Sequence, residues 1–425
     1  MDRPLRSIKI LKALIILFIS VLLIGKSVWM PEDIVDRTRN FTRPLEFDYF
    51  YWTLQALFVK SGQAALGGAH YLNADQQHAI VLDLIALIQD IQDLQNVIEQ
   101  VYSNPQVTDP HQAVQVLLER KNELEDQYAQ RAPIAESVLQ YQMGQVLVSQ
   151  GLSLAGQPFP PILYRVSELP DQLIISPRNI IREDAGISLQ AGLSIQAITN
   201  LENEVEKKLD VSALVVPLGG VGVYPTMVYR TSDLQSMLEV VAHEWTHNYL
   251  TLRPLGLRYD ATPQLRSMNE TVAAISGKEI SQAVLRHYYS EMLPAIPPWS
   301  GGDHAIALVQ PQTNEPAFDF RKEMHATRVQ VDELLKQGKI EEAESYMESR
   351  RQDFWEHGYY IRRINQAYFA FYGAYADQPL GPAGNDPVGP AVRLLRERSG
   401  SLQDFLNRIA WMTSFADLQK ALNEH

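Results

Sequence analysis

From residue 80 to residue 101 apolar side chains recur at alternating steps of four and three: Ile80, Leu84, Leu87, Ile91, Leu94, Ile98 and Val101. This spacing aligns them on one helical stripe, and over three heptads it reads as the seam of a coiled coil. Residues 103–110, Ser-Asn-Pro through Asp-Pro, break the pattern as a turn. Val114, Leu117, Leu124 and Tyr128 then resume it, with Lys121 interrupting. Residues 74–131 are therefore expected to form an antiparallel helical hairpin with its own core. The same surface offers a route to self-association.

Other stretches have different periods. Residues 47–66, which begin with the aromatic run Phe47-Asp48-Tyr49-Phe50-Tyr51-Trp52, read as a helix packed on the body, with a membrane-surface role as the other reading. A third helix is expected over Pro133–Gly151, ending at the Pro-rich break 156–161. Short strand-like pieces follow at 162–166, 172–176 and 187–190, then an amphipathic helix at Leu193–Lys208. Residues 213–217 and 221–230 read as strands around Gly219-Gly220. Pro225 marks the second of them as an edge strand or bulge. A helix then runs over Leu234–Leu250, with Thr231-Ser232-Asp233 as N-cap residues and Pro254 and Gly256 beyond its end. Met237, Val241, Trp245 and Tyr249 form its buried stripe. Residues 292–318 are rich in Pro and Gly and read as a long loop, a candidate lid containing His304. Residues 319–425 are helical in pattern. Within them Tyr360–Ala376 places Asn365, Tyr368, Tyr372 and Tyr375 on one face. The fold class is α+β and mostly helical, with a small mixed sheet.

The chemistry concentrates at His243-Glu244-Trp245-Thr246-His247. Histidines four apart share one face of a helix and can grip one Zn²⁺, with the intervening glutamate placed as a general base. A catalytic zinc site needs a third protein ligand. The arrangement with a third histidine on the same segment is excluded, because it requires Gly at 250 and His at 253, where Leu250 and Arg253 stand. Further on, Met268-Asn269-Glu270-Thr271-Val272-Ala273-Ala274 opens a second helical pattern, joined to the first by the Pro/Gly-containing link Arg253–Leu265. Glu270 is the candidate third ligand and Asp260 the alternative; a helix-initiating acid with no metal role is the plainer reading of Glu270.

The motif together with Asn269-Glu270-Thr271-Val272-Ala273 resembles the gluzincin zinc peptidases, whose third ligand is a Glu on a following helix. The resemblance implies a zincin-like core over 161–291, with metal ligands His243, His247 and Glu270 and with Glu244 as catalytic base. It departs at Ala274, where thermolysin-like members carry an Asp that orients a ligand histidine. The order of elements over Leu193–Leu406 also loosely resembles bacterial membrane-attached predicted aminopeptidases. In zinc peptidases a strand before the motif helix holds substrate by strand addition, which here points to Val223 and Tyr224 as substrate-binding residues. A tyrosine opposite the base commonly stabilises the oxyanion. Tyr372 and Tyr368, with Asn365, are the candidates, against a reading of the same face as aromatic packing.

Charge and composition narrow the field. The chain has 425 residues, a formal charge of −13 and no cysteine. Without a basic face it is not expected to bind nucleic acid, and without thiols it has neither disulfide nor cysteine nucleophile. Arg3, Arg6, Lys9 and Lys12 flank the apolar run 13–25, and 8–30 is long enough to span a bilayer with its lysines snorkelling. No small-residue cleavage site follows, so residues 1–30 are expected to be a transmembrane signal anchor, with the N-terminus cytoplasmic and the bulk extracytoplasmic. The expected organisation is an anchor at 1–30, a helical region at 31–160, the core at 161–291, the loop at 292–318 and a helical C-terminal domain at 319–425. The functional expectation is a membrane-anchored zinc metallopeptidase that hydrolyses peptide bonds of a peptide or protein substrate with a metal-activated water. Two alternatives stand beside it: a non-catalytic zincin-like binding module that recruits partners through the hairpin, and a structural coiled-coil protein whose motif is accidental.

Overall fold

The computed structural model describes residues 33–103, 109–293, 318–374 and 386–424. The expected anchor and nearly all of the expected lid, with His304 and Tyr375, lie outside them. Among the described residues no helix is long and apolar enough to cross a membrane.

Helices dominate. α1 (Ile34–Thr42) and α2 (Tyr49–Leu66) lead to α3 (Ala74–Ser103) and α4 (Pro110–Ser149), which pair along their lengths. Leu84, Leu87, Ile91 and Ile98 of the predicted seam are buried. The hairpin is longer than its heptads suggest, because α4 continues through Pro133 for 40 residues instead of yielding to a third helix there. A mid-helix proline loses one backbone hydrogen bond. Burial of Ala132, Ala135, Val138 and Leu139 on either side holds the helix together across it. Only the outer part of the hairpin has a core to itself, built from Leu87, Ile91 and Leu124. Its base belongs to the main core.

A two-stranded ribbon and two three-stranded sheets follow. β1 (Ser153–Leu154) and β2 (Gln157–Pro158) form a minimal ribbon. β4 (Asp171–Pro177) is flanked antiparallel by β5 (Ala185–Leu189) and β6 (Val211–Pro217). α5 (Ile195–Leu209), capped by Ser194, covers one face of this sheet through Ile198, Leu201 and Val205. Ile174, Leu214 and Val216 point to the other face. Burial on both faces explains why β4 and β6 read as continuous apolar runs. The second sheet has the order β3 (Tyr164–Val166), β8 (Thr226–Val228), β7 (Gly220–Val221), so β7 is an edge. The single strand expected over 221–230 is thus a β7–β8 hairpin, with a cis Tyr224–Pro225 bond in its turn.

α6 (Leu234–Thr251) carries the motif and packs most closely with α8 (Pro263–Tyr288), the short α7 (Pro254–Leu257) lying between them. Met237, Val241, Trp245 and Tyr249 are all buried, as their spacing predicts. α8 starts five residues before Met268, with Thr262 as N-cap and Pro263 at the first turn, a start signal of the usual kind. Gly277 lets the two helices approach: a Cβ there would sit 2.9 Å from the Glu239 carbonyl oxygen and 3.2 Å from His243 Cβ. α9 (Phe320–Lys336) and α10 (Ile340–Glu356) form a second hairpin, capped by α11 (Gln366–Tyr372). The last helices, α12 (Val388–Glu397), α13 (Leu402–Ile409) and α14 (Phe415–Asn423), complete the main core around α6 and α8 through Val392, Phe405, Leu406 and Leu418.

Candidate metal centre

Asp233 starts α6 by accepting the Ser236 amide on its carboxylate, which sets the helical phase of everything after it. One turn apart on this helix, His243 and His247 place their Nε2 atoms 3.0 Å from each other. Glu270, in the second turn of α8, brings Oε2 to 3.5 Å from the first and 3.6 Å from the second. These are the described residues whose ligating atoms converge as a potential metal site, and Asp260 is not among them.

The fit to a metal can be tested on Glu270 itself. Its Oε1 accepts a hydrogen bond from the Tyr259 hydroxyl. Its Oε2 is shut off from solvent and has no hydrogen-bond partner among the described residues. An orphaned buried carboxylate oxygen is costly unless something cationic meets it. The two ring nitrogens ion-pair with it at 3.5–3.6 Å but are too distant to satisfy it by hydrogen bonding. The same separations match the roughly 3.4 Å edge expected between N and O donors arranged tetrahedrally about zinc. Two imidazoles and one carboxylate are also a familiar catalytic zinc donor set. The residues present fit a metal ion.

Surrounding groups hold the donors in place. His247 Nδ1–H donates to Asn269 Oδ1 at 2.7 Å, leaving Nε2 to face Glu270. The orienting acid missing at Ala274 is thus replaced by the amide one residue before the ligand. Behind Glu270, Arg266 Nε donates to the Tyr259 hydroxyl at 3.3 Å, and Arg266 Nη1 donates to Glu183. Burial draws the His247 imidazole down, but the Glu270 carboxylate outweighs it, with Glu244 and Asn269 adding to the upward pull, and the ring is pushed up to about 9. Burial acts on Glu270 in the opposite sense, and the two imidazoles overcome it and hold its carboxyl well below the usual range.

Glu244 is buried on the same helix, and burial pushes its carboxyl up against the downward pull of His247 and His243. Its carboxylate lies against the backbone of β7 and the residue after it. A Cβ on Gly220 would come within 2.7 Å of Oε1, and one on Gly222 within 3.1 Å of Oε2. All these groups open onto one cleft of about 1540 Å³. Residues 220–223 form part of its wall, so Val223 borders the site. Tyr224 turns away and donates to the Pro161 carbonyl at 3.0 Å.

The tyrosine face expected on the C-terminal side is placed elsewhere. The helix begins only at Gln366, and Asn365 is its N-cap, accepting the Tyr368 amide at 2.9 Å and donating to the Ala213 carbonyl at 3.0 Å. Tyr368 and Tyr372 pack on the apolar cluster of Ile174, Leu214 and Val216, while Phe369 and Phe371 of the same helix border the cleft. The helix starts six residues later than expected, and the face that meets the cleft carries Phe369 and Phe371 instead. Two tyrosines not singled out in the sequence line it instead. Tyr259 holds Glu270, and Tyr49 donates to Ser188 Oγ at 2.7 Å. Burial raises Tyr49 above its usual range, and the charge of Glu244 adds to the rise. Neither sits in a motif; the only local signal was Tyr259 in the link between the two ligand helices. No protein-family model, curated protein or solved structure matches the chain.

Proposed function

We propose that this chain is a zinc-dependent peptidase with a zincin-like core, anchored to a membrane by residues 8–30, its catalytic bulk extracytoplasmic. The observation that carries the reading is the buried Oε2 of Glu270, without a hydrogen bond among the described residues, facing the Nε2 atoms of His243 and His247 at ligand spacing. Zinc, when bound, supplies Lewis acidity to a scissile carbonyl and lowers the pKa of water.

The chain's own residues supply the rest. Glu244 stands one residue from His243, with its carboxylate in the same cleft and its pKa raised. A raised carboxylate is a stronger base, suited to taking a proton from the attacking water and returning it to the departing amine nitrogen. β7, Gly220–Val221, offers a sheet edge beside that carboxylate, where an extended substrate backbone pairs as an added strand. Tyr49 is our candidate donor to an oxyanion: it lines the cleft within electrostatic reach of Glu244, and its O–H would turn from Ser188 Oγ to donate there. A non-catalytic binding module would have no use for a carboxylate buried in the cleft beside the ligands.

The test is digestion of a peptide library by the purified full chain and by Glu244→Gln, with metal content measured for both. The reading expects cleavage by the native chain and a loss of at least about 100-fold in the variant with zinc retained. Equal cleavage by both removes Glu244 from the mechanism.

A further inference from the structure

α2 is packed inside out. In a surface helix the polar side faces water and the apolar stripe faces the core. Between Tyr49 and Leu66 the only charged residue is Lys60, and it is turned inward. Its Nζ lies 3.0 Å from Glu136 Oε2, both side chains being almost fully buried. The outward side instead shows Phe50, Tyr51, Leu54 and Phe58, at 75%, 61%, 52% and 82% exposure. These four fall on one face, at positions i, i+1, i+4 and i+8. Scattered exposed apolar residues are ordinary, whereas a contiguous uncharged aromatic face marks a contact surface.

Two further features say what covers it. A shallow pocket of about 420 Å³ opens on this face, bounded by Leu54, Gln55, Phe58, Val59 and Arg165. Arg165 makes no ion pair among the described residues, and its Nη1, closed off from solvent, has no hydrogen-bond partner. An apolar floor with one unpaired guanidinium at its edge suits an acyl chain below a phosphate headgroup. The chain also reaches α2 only 18 residues after the end of the apolar segment 8–30. If that segment is an anchor, the connection, with nine of its residues in α1, keeps α2 within about 45 Å of the bilayer.

Resting on the anchor reading given above, we infer that the outward face of α2 lies on the bilayer surface, with Phe50, Leu54 and Phe58 in the headgroup–acyl boundary and Arg165 at the phosphates. Tyr49, next to Phe50, lines the metal cleft. The lipid-facing helix therefore forms part of the cleft wall and holds the cleft beside the membrane, where polypeptide segments emerging from the bilayer are the nearest substrates.

The absence of native cysteine makes the test direct. Phe58→Cys and, for comparison, Ser345→Cys at an exposed position of α10 are labelled with an environment-sensitive fluorophore. The full chain is reconstituted into vesicles of phosphatidylcholine and phosphatidylglycerol in equal amounts. Label at 58 should be quenched by doxyl lipids at least about twofold more than label at 345, and should be protected from iodide. Sedimentation of the same samples reports the anchor separately. Sedimentation with a label at 58 quenched only by iodide overturns the lipid contact and leaves the anchor standing. Protection from both quenchers overturns it in favour of a protein partner. Failure to sediment overturns both readings.

Discussion

Asn269 Oδ1 lies 2.7 Å from His247 Nδ1 and so determines which nitrogen of that ring is left to bind metal. The amide oxygen can only accept, so Nδ1 carries a proton and Nε2 is the nitrogen left to face Glu270 and to bind metal once its own proton is displaced. Removing the acceptor should free the ring to rotate and to change tautomer. Asn269→Ala is expected to weaken zinc affinity by about 10–100-fold, the usual cost of losing an orienting partner, while Asn269→Asp keeps or strengthens binding. Competition titration with a chelating dye reads both, and unchanged affinity in the alanine variant would show that the hydrogen bond is incidental.

Gly220 makes a second prediction, on catalysis alone. A methyl group there would stand 2.7 Å from Glu244 Oε1 and equally close to Val240 Cγ1, so the flexible carboxylate must move. Displacing a catalytic group by about 1 Å costs on the order of 100-fold in rate. Gly220→Ala should therefore lower kcat by that order while holding its zinc. Gly222→Ala, with its nearest contact at 3.1 Å, should lose less. A variant at 220 with full kcat would show that the carboxylate is not poised where it stands.

Metal uptake should be linked to protons. In the metal-free chain His247 is pushed up to about 9, so at neutral pH it holds a proton that zinc must displace. The sign follows from the raised value. Below about 9 the proton competes with the ion, and affinity falls by about tenfold for each pH unit lost; above it this competition ends. Calorimetric titration with zinc in buffers of different ionisation enthalpy should show close to one proton released by this ring at pH 7. Affinity independent of pH between 6 and 8 would contradict the pairing of His247 with Glu270.

Stability offers an independent check on the packing behind the cleft. Glu202 of α5 is fully buried and accepts two hydrogen bonds from Arg362, each of 2.6 Å, as well as the Val215 amide at 2.7 Å. Truncating the arginine strands a buried carboxylate, and Arg363 reaches it only at 3.9 Å. Arg362→Ala is expected to destabilise the chain by about 3 kcal/mol. Urea unfolding measures this, and a change under about 0.5 kcal/mol, the range of ordinary surface substitutions, would mean that the pair contributes little.

The parts of this fold legible beforehand were those encoded by spacing within one helix. The pairing of His243 with His247 on one helix face, the buried stripe of α6 and the seam of α3 each follow from a repeat of three and four. Asn269-Glu270 was legible as a short motif on the next helix. Legibility failed where a distant contact overrode a local rule. Pro133 signals a helix start, yet α4 runs through it because the residues around it are buried. Tyr368 and Tyr372 share a helix face as their spacing predicts, but that face packs on Ile174, Leu214 and Val216 rather than lining the cleft. Tyr259, Arg266 and Glu183 lie up to 87 residues from the Glu270 they support. Nothing local distinguishes them from other polar residues; only the tertiary structure brings them together.

The central claim is that His243, His247 and Glu270 hold one divalent ion. Elemental analysis of the purified full chain beside Glu270→Ala measures it most directly. The account predicts close to one zinc per native chain and substantial loss in the variant, with the fold intact by circular dichroism. A native chain free of metal after exposure to zinc, or a variant retaining zinc as tightly as the native chain, would contradict it.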